Sequence, residues 1–220
     1  MEYIYLHGFA SGVTSSKAQY FERKFSELNL ELSIPDLNRD DFSYLTLTRQ
    51  IQQTASLITE TQESVTIIGS SFGGLTAAFL GEMYPQVKRL ILLAPAFNFL
   101  DFWLPTLGEV RVKEWQKLGS MSVYHYGEKK NLPLHYQFVE DLQKYSLLTL
   151  QRNIPTLIFH GVNDGVIPVR ASRDYSCDRP WVRFRELNSD HTLMDVLEII
   201  WQEMWERGDK LISTKKPFSQ

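Results

Sequence analysis

Two short runs constrain this chain more than anything else in it. Val65-Thr66-Ile67-Ile68 and Leu90-Ile91-Leu92-Leu93 are almost unbroken β-rich apolar stretches without polar alternation. A strand that offers water neither of its faces belongs inside a sheet covered on both sides, which calls for a parallel sheet between helical layers. The flanking segments agree. Lys17 to Leu28 places Ala18, Phe21, Phe25 and Leu28 on one helical face, and Tyr44 to Thr61 does the same with Leu47, Ile51, Ala55 and Ile58. Tyr3 to Leu6 reads as the first strand, Leu32-Ser33-Ile34 as a second stopped by Pro35, and a helix through about Tyr84 is ended by Pro85.

From about Ala94 to Asn153 the rhythm breaks, with aromatics, Pro105, Pro133 and charges interleaved, and residues 95–153 are expected to form an inserted helical lid. Thr156 to Phe159 resumes the strand pattern. A short helix is expected at Val169 to Ser176, a last strand at Trp181 to Leu187, a closing helix at Thr192 to Arg207 and a frayed tail at Ser213 to Gln220. With 220 residues and alternating elements throughout, residues 1–220 are expected to form a single α/β domain.

Composition removes several function classes. The net charge is -3 without a long Lys/Arg run, so the chain lacks the electrostatic footprint of nucleic-acid binding. No apolar stretch approaches the ~18 residues of a membrane span, and the first residues lack a basic leader, so a cytoplasmic protein without membrane insertion is expected. Cys177 is the one cysteine, which excludes an internal disulfide and a Cys-rich metal cluster. The histidines show no metal-ligand spacing, and no dinucleotide fingerprint stands in a βαβ context, so neither metal nor cofactor is expected.

Gly69-Ser70-Ser71-Phe72-Gly73 matches G-x-S-x-G directly after a buried strand and directly before a helix. Small neighbours permit the sharp turn that lifts a serine hydroxyl above the sheet edge, so Ser71 is the expected nucleophile. A serine needs a base, and the base needs a carboxylate to hold its tautomer. Among five histidines, His191 lies in the loop after the last strand, at the same sheet edge as Ser71. His125 and His135 fall in the insertion, and His7 and His160 each precede a glycine at a strand end. Asp164, in the loop after the preceding strand, is the expected orienting acid; Asp190 and Asp195 are nearer His191 in sequence and read better as helix-start charges. His7-Gly8-Phe9 ends the first strand where an N–H facing Ser71 is needed, so the backbone amides of Phe9 and Phe72 are the expected oxyanion donors, with His7 supporting the loop.

With these elements in order, the chain resembles the α/β-hydrolase superfamily over nearly its whole length. Ile4-Tyr5-Leu6-His7-Gly8-Phe9-Ala10-Ser11-Gly12 followed by Ser16-Lys17-Ala18 is more narrowly similar to the small bacterial YqiA/YcfP-like esterases. The resemblance implies a doubly wound sheet of six parallel strands in the order 2-1-3-4-5-6 and hydrolysis of a carboxylic ester or thioester, the partner being a small-molecule acyl substrate. The longer insertion departs from the smallest members. Its crowded aromatics suggest an acyl pocket over Ser71, with Trp103 and Trp115 as candidate lining residues for medium-length chains. A C–C bond hydrolase or lyase using the same triad, and a non-catalytic binding module, share the fold and stay open at this point.

Overall fold

In the computed structural model, residues 1–38 and 41–206 are described. The central sheet contains β1 (Glu2–Leu6), β2 (Val65–Ser70), β3 (Val87–Leu93), β6 (Thr156–Gly161) and β7 (Val182–Leu187), in the order β1-β2-β3-β6-β7. Every neighbouring pair in it is parallel. The helices are α1 (Ser16–Glu27), α2 (Leu47–Thr59), α3 (Phe72–Met83), α4 (Phe99–Leu107), α5 (Glu109–Leu118), α6 (Gln137–Leu142), α7 (Arg170–Cys177) and α8 (Leu197–Glu206), and a separate antiparallel hairpin joins β4 (Ser120–His125) to β5 (Lys130–His135).

The period of two along each strand sorts its side chains between two cores. Ile4 and Leu6, Val65 and Ile67, and Leu90 and Leu92 face one side, where α2, α3, α7 and the insertion pack. Tyr3 and Tyr5, Ile68, Ile91 and Leu93 face the other, where α1 supplies Ala18, Phe21 and Phe25 and α8 supplies Leu197, Ile200, Trp201 and Met204. All six residues of β2 and of β6 are buried, as strands sandwiched between layers must be.

The sequence predicts six strands; among the described residues the sheet has five. The second predicted strand shrinks to one parallel bridge between Ile4 and Ser33. Ser33 donates to Tyr3 O and accepts from Tyr5 N–H, and the ladder stops there, because Pro35 has no N–H to extend it. The bridge occupies the place expected of that strand, so the predicted order survives with one member reduced. The chain passes outward from β1 to Ser33 and then crosses back to β2 on the opposite side. The point of reversal, between β1 and β2, is where open α/β sheets form a crevice at the carboxyl ends of their strands.

The insertion is not wholly helical. α4 and α5 are followed by the β4–β5 hairpin, in register from Ser120↔His135 to His125↔Lys130. Pro133, read from the sequence as a breaker, lies inside β5 opposite Ser122, and in a two-stranded ladder a proline is tolerated where its nitrogen points away from the partner. The closing helix also starts later than its pattern suggests. Leu193 adopts a left-handed conformation (φ 54°), a 3-10 turn covers Met194–Val196, and α8 begins at Leu197. Arg207 and the tail Ser213 to Gln220 lie outside the described residues.

Candidate active site

The loops that leave the carboxyl ends of β1, β2, β6 and β7 converge at the switch point. Ser71 follows β2 with φ 53° and ψ -117°, a conformation costing a non-glycine residue on the order of 1–3 kcal/mol. The surrounding backbone holds it there. Ser71 N–H donates to Leu93 O, and Ser71 O accepts from the N–H groups of Gly74, Leu75 and Ala96 at 2.9 to 3.1 Å. Ser71 is the N-cap of α3, yet its side chain makes no capping bond, so Oγ is free for another partner. The turn depends on missing side chains. A Cβ on Gly73 would stand 2.5 Å from His7 O, and one on Gly69 would stand 2.7 Å from Gly74 Cα, both closer than real Cβ atoms approach.

That partner is His191. Its Nε2 lies 3.0 Å from Ser71 Oγ, and its Nδ1 lies 2.6 Å from Asp164 Oδ2. The carboxylate can only accept, so Nδ1 carries the proton and Nε2 is left to accept from the serine hydroxyl. Asp164 Oδ1 accepts from the N–H groups of Val166 and Ile167, both at 2.8 Å. Its Oδ2 also faces His160 Nε2 at 3.0 Å. Burial by itself pushes the Asp164 carboxyl up, but hydrogen bonds from His160 and His191 outweigh it and hold the group well below the usual carboxylate range. The acid is therefore held as the anion that the His191 ring needs.

The nearer aspartates are otherwise engaged. Asp190 Oδ1 accepts from Thr192 N–H and Thr192 Oγ1–H, and Asp195 takes the hydroxyl of Ser189. Gly8 lies against the serine, where a Cβ would stand 3.3 Å from Ser71 Cβ. Phe9 turns its ring away into an aromatic cluster with Phe42, Phe72, Phe99, Trp103 and Phe138. Its N–H donates to no backbone acceptor among the described residues, and Phe72, the first residue of α3, has no intrahelical acceptor for its own. Phe72 follows Ser71 directly, and Phe9 follows Gly8, the residue that lies against Ser71. His7 props the loop from below, accepting the Leu37 N–H at Nε2 and donating from Nδ1 to Gly8 O.

The two tryptophans proposed for a pocket separate. Trp103 is partly exposed and packs on Phe9, next to the loop that faces Ser71. Trp115 is 1% exposed, its indole N–H donates to Leu134 O at 2.8 Å, and its ring lies against Trp103 and Tyr136. It is buried in the core of the insertion, and it does not border the cavity between α3, α4 and α6. A cavity of about 260 Å³ opens between α3, α4 and α6, floored by Leu75, Phe79, Phe99 and Leu142. None of Ser71, Asp164 or His191 borders it.

The residue missed at the sequence level is His160. Read only as a competing base, it contacts the acid instead. A signal was present, since His160 is the penultimate residue of β6, four residues before Asp164, and the loop between them folds back on the strand end. No group of three or more His, Cys, Asp or Glu side chains among the described residues could hold a metal, and no helix in the described residues is long and apolar enough to cross a membrane.

A family model described as "Uncharacterised protein family (UPF0227)" matches residues 2–204. The chain belongs to this family. This UPF0227 chain is also 27% identical over 209 residues to a Mycoplasma genitalium protein named provisionally as an esterase/lipase, across 80% of this chain and 76% of that one. Among solved structures it superposes with a TM-score of 0.80 on mouse alpha/beta hydrolase domain-containing protein 10, at 20% identity over 96% of this chain and 90% of the other. The same TM-score relates it to Est1E from Butyrivibrio proteoclasticus with ferulic acid bound, at 18% identity over 96% of this chain and 89% of the other. The UPF0227 chain therefore has the α/β-hydrolase fold, with its mainly parallel sheet between helical layers.

Proposed function

We propose that this protein is a serine hydrolase that cleaves carboxylic esters or thioesters of small to medium acyl groups through an acyl-enzyme on Ser71. The observation that carries the reading is the continuous chain from Ser71 Oγ through the His191 ring to Asp164, built on a strained serine whose hydroxyl the helix does not use. The esterase/lipase name of the Mycoplasma genitalium relative and the ferulic acid bound to Est1E support ester chemistry.

Each residue has a step. Ser71 Oγ attacks the acyl carbonyl carbon while His191 Nε2 takes the hydroxyl proton. Asp164 stabilises the imidazolium and stays ionised. Negative charge that develops on the carbonyl oxygen meets the N–H groups of Phe9 and Phe72, the latter backed by the positive end of the α3 dipole. The tetrahedral adduct collapses, the alkoxide or thiolate leaves with the proton from His191, and the acyl group remains on Ser71. Water then attacks with the same base, the carboxylic acid departs and the serine is restored. No metal and no cofactor enters.

The acyl group is assigned to the side of the insertion that carries Trp103, and each methylene that it buries there contributes about 0.8 kcal/mol. The test is a series of p-nitrophenyl esters and acyl-CoA thioesters from acetyl to octanoyl. The proposal expects turnover that rises from acetyl toward chains of about four to eight carbons. Absence of turnover on every ester and thioester would remove it.

A further inference from the structure

His160 has no part in the mechanism above, yet its surroundings are too specific for a core histidine that merely found partners. The ring is fully buried at the end of β6. Nε2 faces two acceptors, Ile167 O at 2.9 Å and Asp164 Oδ2 at 3.0 Å, neither of which can donate, so Nε2 carries a hydrogen. Nδ1 lies 2.8 Å from Ser172 Oγ on α7, a hydroxyl that can complete the ring's hydrogen bonding. The carboxylate of Asp164 is thereby engaged on both oxygens: two backbone N–H groups donate to Oδ1, His191 Nδ1 donates to Oδ2, and the His160 ring lies 3.0 Å from that same oxygen while its Nε2 hydrogen is shared with Ile167 O.

Resting on the proposed triad, we infer that His160 is a positioning residue, a second imidazole that holds Asp164 Oδ2 in the plane of His191 and draws off part of its negative charge. Two effects follow from this one contact. The carboxylate cannot rotate away from His191, since each of its oxygens is tied on a different side. The imidazolium that forms in the reaction also meets a carboxylate already shared with another donor, so proton return to the leaving group is not penalised by an over-stabilised ion pair. The other charges that face this carboxylate are Lys17 on α1 and Asp190 in the loop after β7. Neither is within hydrogen-bonding or ion-pair distance of it among the described contacts, so His160 and His191 are the side chains that set its state.

The sign of the expected change separates positioning from packing. Without the His160 hydrogen bond the full negative charge of Asp164 bears on His191 and favours its protonated form, so the acid limb of kcat/KM moves to higher pH. A loss of packing alone lowers activity and leaves that limb where it was. His160→Leu removes the donor, His160→Gln keeps an N–H near Nε2, and Ser172→Ala leaves His160 its proton while freeing the ring to turn. Folding is verified for each by circular dichroism. With a p-nitrophenyl ester, His160→Leu is expected to lower kcat by about tenfold, as the loss of a polar contact on the acid would, with KM within about twofold. His160→Gln should recover part of that loss. The acid limb should shift upward in His160→Leu and less in Ser172→Ala, which decides the matter if His160→Leu does not fold.

A substrate-free readout runs in parallel. The low-field proton resonance of His191 Nδ1–H should move in His160→Leu and His160→Gln relative to the wild type. A wild-type protein that turns over no ester defeats the proposed function, and the resonance alone then judges the contact. A wild type that turns over esters, with folded His160 variants keeping the same acid limb and the same resonance, overturns the inference about His160 alone.

Discussion

The sheet edge that carries Ser71 and the inserted segment over it are built on different principles. At the edge, the backbone dictates the residues. β2 must stop, turn within one residue and start α3, and a Cβ on Gly69 or Gly73 would strike neighbouring backbone. In the insertion, side chains tie elements whose backbones have little reason to meet. Asp141 accepts from the N–H and the hydroxyl of Thr48 and fastens α6 to the start of α2. Arg152 donates to Gly81 O, Tyr84 O and Pro85 O at the end of α3, while Glu82 accepts from the N–H groups of Gln151 and Arg152. Constraints on backbone leave a local signature in sequence, whereas side-chain ties between distant residues leave none.

The sharpest way to break this contrast lies at the edge. Ser71→Ala should abolish turnover by roughly a million-fold in kcat while leaving the fold intact, because the alanine occupies the same strained backbone without the nucleophile. Ester hydrolysis above about 1% of wild type in the purified variant would move the nucleophile elsewhere, Ser70 first.

Asp164→Asn comes next. It keeps the shape but offers an amide N–H where Oδ2 accepted, favours the wrong tautomer of His191, and should cost about 10⁴-fold in kcat, whereas Asp190→Asn should cost little. The reverse ranking would reassign the acid. Because the Asp164 carboxyl is held below the usual range, acid loss of kcat/KM should follow protonation of His191 and not of the aspartate. A flat profile from pH 5 to 8 would contradict that.

These comparisons show how much the sequence disclosed. Ser71, His191 and Asp164 were reachable because strand ends, a glycine-rich turn and loop order place them, each a local pattern. Leu32 to Ile34 was overread, since a three-residue apolar run cannot say that Pro35 will leave it with one bridge. The hairpin was missed for the opposite reason. Pro133 is a breaker in a covered sheet and harmless in a two-stranded one, and local sequence does not say which sheet it joins. His160 was seen as a strand-end histidine, but its contact with Asp164 depends on how the loop between them folds back.

Within the insertion the two tryptophans sharpen the comparison. Trp115→Ala empties a buried site and should destabilise the protein by about 3–5 kcal/mol in urea unfolding. Its effect on acyl-chain preference should be small. Trp103→Ala should do the opposite, changing the ratio of octanoyl to acetyl kcat/KM by a few-fold with a smaller loss of stability. Equal effects of both on the chain-length profile would mean that the insertion acts only as packing.

The smallest effect concerns Lys17, on the first turn of α1. Burial pushes its ammonium down to about 8, against the pull of Asp164 and Asp190, so the folded state disfavours the charged form. The cost is present in full below that value and vanishes as pH rises to the unfolded lysine range, where both states are neutral. Lys17→Met should therefore stabilise the protein at pH 7 by about 1 kcal/mol once solvent screening is allowed for. Urea unfolding at pH 7 and near pH 10 should show that advantage shrinking; an advantage that grows with pH would reverse the assignment.

The central claim is that the strained serine after β2 is an activated nucleophile, and covalent trapping tests it most directly. The protein is treated with a fluorophosphonate and the adduct mapped by peptide mass spectrometry, alongside His191→Ala. The account predicts a single adduct on Ser71, formed quickly in the wild type and nearly absent in His191→Ala. No adduct, an adduct on Ser70, or labelling of Ser71 at an unchanged rate without His191 would contradict it.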